Sequence, residues 1–114
     1  MLVVYGIPNC DQIKKSQKWL KDRGIDFVFH DYKKKGISKK QLNEWSKMVT
    51  WEVLLNKRSR TWKELNESDK SDLTQTKAID LMQQQPTLIK RPVVQQGKIL
   101  AVGFDSQVFT QKFN

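Results

Sequence analysis

Residues 2–11 read Leu2-Val3-Val4-Tyr5-Gly6-Ile7-Pro8-Asn9-Cys10-Asp11. A short apolar run closed by Pro-Asn is the pattern of a buried strand that opens into a loop. Downstream, Ile13, Ser16, Gln17 and Leu20 recur at helical spacing, the lysines 14, 15, 18 and 21 take other positions, and Gly24 supplies a stop, so residues 11–23 are predicted to be a helix. Residues 26–32 follow directly, rich in aromatic and β-favouring side chains. They read as a second strand, parallel to the first through the intervening crossover, which makes a βαβ unit.

Working outward, Ser38-Lys39-Lys40-Gln41 has the form of a capping box, with Leu42, Trp45 and Val49 on one face of the helix behind it. Residues 51–56 read as a short helical piece, and Thr61-Trp62-Lys63-Glu64 is a second capping-box pattern, ahead of Leu65. Residues 74–85 carry Ala78, Ile79, Leu81 and Met82 and stop before Pro86. The pattern then changes. Arg91-Pro92-Val93-Val94 and Ile99-Leu100-Ala101-Val102 flank Gln95-Gln96-Gly97-Lys98, which predicts an antiparallel hairpin with a Gly-containing turn. Residues 106–113 form a last amphipathic helix with Asp105 or Ser106 as its cap. The order predicts one α/β domain over residues 1–114: a mixed sheet with flanking helices and a helical insertion at about 38–86.

Composition narrows the function classes. At 114 residues, 38% hydrophobic and 29% charged, the chain fits a single folded domain. It holds no apolar run long enough to span a bilayer and no secretory leader pattern, so the cytoplasm is the expected compartment and no membrane partner is expected. A single Cys excludes an internal disulfide. With His30 as the only His, no zinc-like cluster exists and no metal is expected. The net charge of +9, from 21 basic and 12 acidic residues, attracts anions of any class. Its densest run, Lys33-Lys34-Lys35 with Lys39-Lys40, lacks interleaved aromatics and reads as a solvated basic face, not a nucleic-acid module.

The candidate chemistry lies at Cys10. A thiol at a helix N-terminus meets unpaired backbone N–H groups and the positive end of the dipole, which favour thiolate; Lys14 or Lys15 adds to that potential and Asp11 opposes it. An inert core Cys is the alternative, but a polar loop position favours chemistry. Asn9 shapes the turn before it. His30 has no partner visible in sequence and reads as structural; Trp45, Trp51 and Trp62 read as packing residues.

Tyr5-Gly6-Ile7-Pro8-Asn9-Cys10-Asp11-Gln12-Ile13-Lys14-Lys15, Gly24-Ile25-Asp26, Phe29-His30-Asp31-Tyr32, Gly36, Trp51-Glu52-Val53-Leu54-Leu55-Asn56-Lys57-Arg58, Thr61-Trp62 and Leu88-Ile89-Lys90-Arg91-Pro92 together resemble the arsenate reductase (ArsC/Spx) family of thioredoxin-like proteins. Within it they resemble the small glutathione-dependent thiol-reductase-like branch. The resemblance runs from about Leu2 to Phe113. It implies a thioredoxin-like fold, with Cys10 as the nucleophile and glutathione as co-substrate, completed by glutaredoxin. It implies that Arg91 contacts an anionic group and that Pro92 is the cis-proline of such folds; a guanidinium fork suits an oxyanion. Arsenate-reducing members carry an Arg at the position of Asn56, so Arg58 is the nearest substitute here, and residues 103–106 lack a further family Arg. The shared Asn56-Lys57-Arg58 arrangement implies a thiol reductase acting on glutathione or a glutathionylated substrate more than on arsenate. Ile13 stands where the family's redox regulators have a second Cys, which implies a monothiol mechanism. The same regulators imply a second role, binding the α subunit of RNA polymerase.

Overall fold

The computed structural model describes residues 1–113. Strand β1 (Leu2–Gly6) leads through a turn into helix α1 (Asp11–Asp22), and β2 (Phe27–Asp31) returns parallel to β1. A hairpin of β3 (Val93–Gln96) and β4 (Ile99–Val102) follows much later and is succeeded by a final helix, Ser106–Phe113. The sheet order β2-β1-β3-β4 makes one mixed four-stranded sheet: β1 is parallel to β2 and antiparallel to β3, which pairs antiparallel with β4. The turn at Gly97 takes a positive φ of 60°, open to glycine at no steric cost.

By contacts the described chain divides into two compact units, Met1–Lys35 with residues 91–113, and Gly36–Lys90. In the sheet unit, alternation along the strands turns Leu2, Val4, Val94 and Ala101 to one face, where they bury with Ile13, Trp19 and Leu20 of α1 and with Phe109 and Phe113 of the last helix. Phe109 sits edge-on to Trp19, Phe104 and Phe113, at centroid separations of 5.0–5.4 Å. Gly6 lets α1 lie close against β1: a Cβ there would fall 2.9 Å from Cγ1 of Ile13 and closer still to its Cδ1. Asp105 caps the last helix, its carboxylate accepting from the N–H groups of Gln107 and Val108.

The Gly36–Lys90 unit is built from short helices. They are α3 (Lys39–Val49), α4 (Trp51–Leu54), α5 (Arg60–Glu64), α6 (Glu67–Lys70) and α7 (Gln75–Gln84), followed by a 3-10 turn at Pro86–Leu88; the one-turn α2 (Tyr32–Lys35) precedes them in the sheet unit, and the last helix, Ser106–Phe113, is α8. Side-chain hydroxyls start three of the helices: Ser38 accepts from Gln41, Ser59 from Trp62 and Thr74 from Lys77. The capping pattern at Thr61 is therefore displaced. Ser59, two residues earlier, is the cap, and the Thr61 hydroxyl instead bonds that of Thr87 at 2.6 Å. Trp45, Leu42, Leu54, Ala78 and Met82 are fully buried, and Lys39 pairs with Asp80 at 2.9 Å. Backbone bonds from Asn56 to Leu88 (2.7 Å) and from Lys90 to Leu54 (2.8 Å) zip two extended stretches together around the Leu55–Ile89 bridge. Lys57 and Lys70 place their ammonium groups 5.6 and 5.7 Å from the Trp62 ring.

Candidate active site

Strand register builds the site. Tyr5 of β1 lies opposite Val93 of β3, so Arg91 and Pro92, which lead into β3, stand at the end of the sheet where β1 finishes. On the other side Gly6 pairs with Asp31 of β2, which puts Tyr32 just beyond the same end of the sheet. The turn carrying Cys10 leaves β1 at that end. Residues about eighty positions apart in sequence thereby share one edge of the sheet.

In the turn, Asn9 adopts a left-handed φ of 62°, a conformation that asparagine tolerates better than most residues. Cys10 is the N-cap of α1, with extended φ and ψ of −99° and 128°, and its carbonyl accepts from the Lys14 N–H at 3.0 Å. Its side chain makes no capping hydrogen bond. Cys10 is a free cysteine, half-buried and packed against the sheet unit's core. Lys14 is exposed one turn along α1, and Asp11 stands in the first turn. The Arg91–Pro92 peptide is cis; Pro92 is buried, Arg91 half-buried, and the Pro92 carbonyl accepts from the Gly103 N–H at 2.7 Å. Asn9, Cys10, Lys14, Arg91 and Pro92 thus all belong to the sheet unit, and Arg58 belongs to the helical one. There Arg58 is exposed, its backbone N–H donating to Oδ1 of Asn56 at 3.0 Å. Among the described residues no group of three His, Cys, Asp or Glu side chains converges to hold a metal, and no helix is long and apolar enough to cross a membrane.

Beside Arg91 lies an aromatic cluster of Tyr5, His30 and Tyr32, of which sequence reasoning gave Tyr32 no role of its own. Tyr5 and His30, partners in register, have ring centroids 4.9 Å apart, and Tyr32 stands 6.4 Å from Tyr5 and 5.9 Å from His30. His30 is half-buried, with its ring against those of Tyr5 and Tyr32. Tyr32 reads in sequence only as the end of a strand. Its phenol pKa is pushed far above the ordinary value, chiefly by burial and further by Tyr5, with the Arg91 charge acting in the opposite direction.

A model of the ArsC family matches residues 5–111. The chain belongs to the ArsC family. Among solved structures it is similar to a protein named YFFB, with a TM-score of 0.97 at 38% identity over the full length of both chains. It is also similar to an arsenate reductase (ArsC) related protein from Brucella melitensis, with a TM-score of 0.76 at 43% identity, covering 96% of this chain and 92% of that one. The global transcriptional regulator Spx of Lactiplantibacillus plantarum is 27% identical over 92% of this chain and 80% of its own length. A glutaredoxin from Archaeoglobus fulgidus shares the fold with a TM-score of 0.53 at 14% identity, covering 99% of this chain and 85% of that one. The fold of this ArsC-family chain is thioredoxin-like, a mixed four-stranded sheet with flanking helices.

Proposed function

We propose that this ArsC-family chain is a monothiol reductase that uses Cys10 as nucleophile and glutathione as co-substrate. The observation that carries the reading is the placement of the chain's one cysteine at the N-terminus of α1, at the sheet end where the register also delivers Arg91. Sulfur carrying negative charge is the attacking species, and a helix N-terminus favours negative charge. In the reaction, Cys10 Sγ attacks the glutathione sulfur of a glutathionylated disulfide. The old S–S bond breaks, the substrate thiolate leaves and takes a proton, and a Cys10–glutathione mixed disulfide forms. A second glutathione thiolate attacks the glutathione sulfur of that adduct, releasing oxidised glutathione and restoring Cys10. With one Cys in the chain the resolving thiol comes from outside, which leaves room for glutaredoxin as a partner. Arg91 supplies a planar donor fork for an anionic group of the substrate. An oxyanion such as arsenate is the alternative electrophile for the same thiol, and the names of ArsC-related neighbours support including it.

Turnover assays with a glutathionylated peptide and with arsenate, each in the presence of glutathione, test the reading. Cys10→Ser abolishes turnover in the arm that is active; turnover retained in that variant overturns the mechanism.

A second reading is favoured by the likeness to Spx: a regulatory protein that binds RNA polymerase, without a two-cysteine switch because Ile13 occupies the second position. Polymerase capture that persists in Cys10→Ser, with no turnover by the wild-type chain, supports this reading over the first.

A further inference from the structure

The aromatic cluster beside Arg91 holds a hydroxyl that does nothing in the free chain. Tyr32 is only 3% exposed, and its hydroxyl has no hydrogen-bond partner among the described residues. A buried polar group left unpartnered costs stability, and phenylalanine would make the same ring contacts with Tyr5 and His30 without that cost. Packing therefore accounts for the ring and leaves the oxygen unexplained. The oxygen belongs to the sheet end described above: Tyr32 follows β2 directly, and Tyr5, its ring neighbour, pairs with Val93, two residues after Arg91. Burial keeps the phenol protonated, so it is a hydrogen-bond donor at any ordinary pH. The hydroxyl itself is buried, but Tyr5, His30 and Arg91 are only half-buried, so the cluster reaches the surface of the unit through its neighbours.

We propose that Tyr32 is a ligand-binding residue, whose O–H donates to the anionic oxygen group that Arg91 engages, so that a phenol and a guanidinium bind a carboxylate or oxyanion together. The proposal rests on the Arg91 site of the function proposed above and adds a second donor to it. Donation to a charged acceptor is among the stronger hydrogen bonds. The ligand thus completes a bonding requirement that the free chain leaves open.

Titrating the full-length wild-type chain, Tyr32→Phe and Arg91→Gln with two probes, reduced glutathione and inorganic phosphate, by calorimetry or NMR, tests it; thermal melts of each variant accompany the titrations. Tyr32→Phe weakens the bound probe on the order of tenfold while its melting temperature is unchanged or higher. Loss confined to glutathione assigns a carboxylate of the peptide thiol, and loss confined to phosphate assigns an inorganic oxyanion. The proposal is overturned if Arg91→Gln weakens binding and Tyr32→Phe matches the wild type, or if the Tyr32→Phe loss is matched by a lowered melting temperature. Undiminished binding by Arg91→Gln overturns the Arg91 site itself, which separates that failure from a failure of Tyr32 alone. Absence of saturable binding of both probes by the wild-type chain overturns both.

Discussion

The sheet unit and the helical unit hold themselves together by different means. In the first, two strand pairings on either side of β1 fix which distant residues share an edge, so Cys10, Arg91 and Tyr32 come to one end through non-local register. In the second, hydroxyl caps at Ser38, Ser59 and Thr74 start short helices locally, and a core around Trp45 and Met82 gathers them. Register places chemistry, whereas caps set where helices begin. A substitution that moves register or the packing of α1 on β1 therefore affects the candidate site, and one that removes a cap costs stability alone.

The largest expected effect falls on the helical unit. Trp45 is fully buried, and Trp45→Ala removes the largest side chain of that core, costing about 3–5 kcal/mol, measurable as a shift in urea midpoint. In the sheet unit the sharper probe is Gly6→Ala, whose added methyl collides with Ile13. It costs about 2 kcal/mol, and because the buried Ile13 side chain of α1 must give way, it also changes the alkylation rate of Cys10. A Gly6→Ala variant with unchanged stability and thiol reactivity breaks the account of how the site is positioned.

Alkaline stability comes next. The Tyr32 phenol has a raised pKa in the folded chain and an ordinary one near 10 when unfolded, so the contribution is fully present below about pH 10 and is lost as pH rises beyond it. Between pH 9 and pH 11 the wild-type chain loses about 1.4 kcal/mol more than Tyr32→Phe does, read from paired denaturation curves. Identical alkaline limbs contradict the burial of the phenol. The smallest effect separates two neighbouring hydroxyls: Ser59→Ala loses the α5 cap and about 1 kcal/mol, with catalytic rates unchanged. Thr61→Ala instead loses its bond to Thr87, so a double-mutant cycle with Thr87→Ala shows coupling that Ser59 lacks.

Much of the fold was legible in the sequence because its signals are local. The run at residues 2–7, the helical spacing of Ile13 and Leu20, the caps at Ser38 and Thr74 and the glycine turn at Gly97 each act within a few residues, and each element stands within two residues of its expected limits. The Thr61 pattern misled because Ser59 offered an equivalent hydroxyl two residues earlier, and steric and hydrogen-bond details choose between such neighbours. The one-turn helices at Tyr32–Lys35 and Glu67–Lys70 are too short to show any periodicity. At the site, Cys10 stood out by position, whereas the placement of Arg91 came from a resemblance, since pairing across a sheet leaves no mark in local spacing. Tyr32 went unread for the same reason: its meaning depends on Tyr5 and Arg91, brought to it by register, as well as on His30 two residues away.

The central claim is that Cys10 is a working nucleophile resolved by an external thiol. Intact-mass analysis of the full-length chain after exposure to a glutathionylated peptide tests it most directly. The account predicts one glutathione adduct per chain, located at Cys10, that disappears on addition of reduced glutathione with release of oxidised glutathione. A chain that stays unmodified while Cys10 is fully reduced and the peptide is in excess contradicts it.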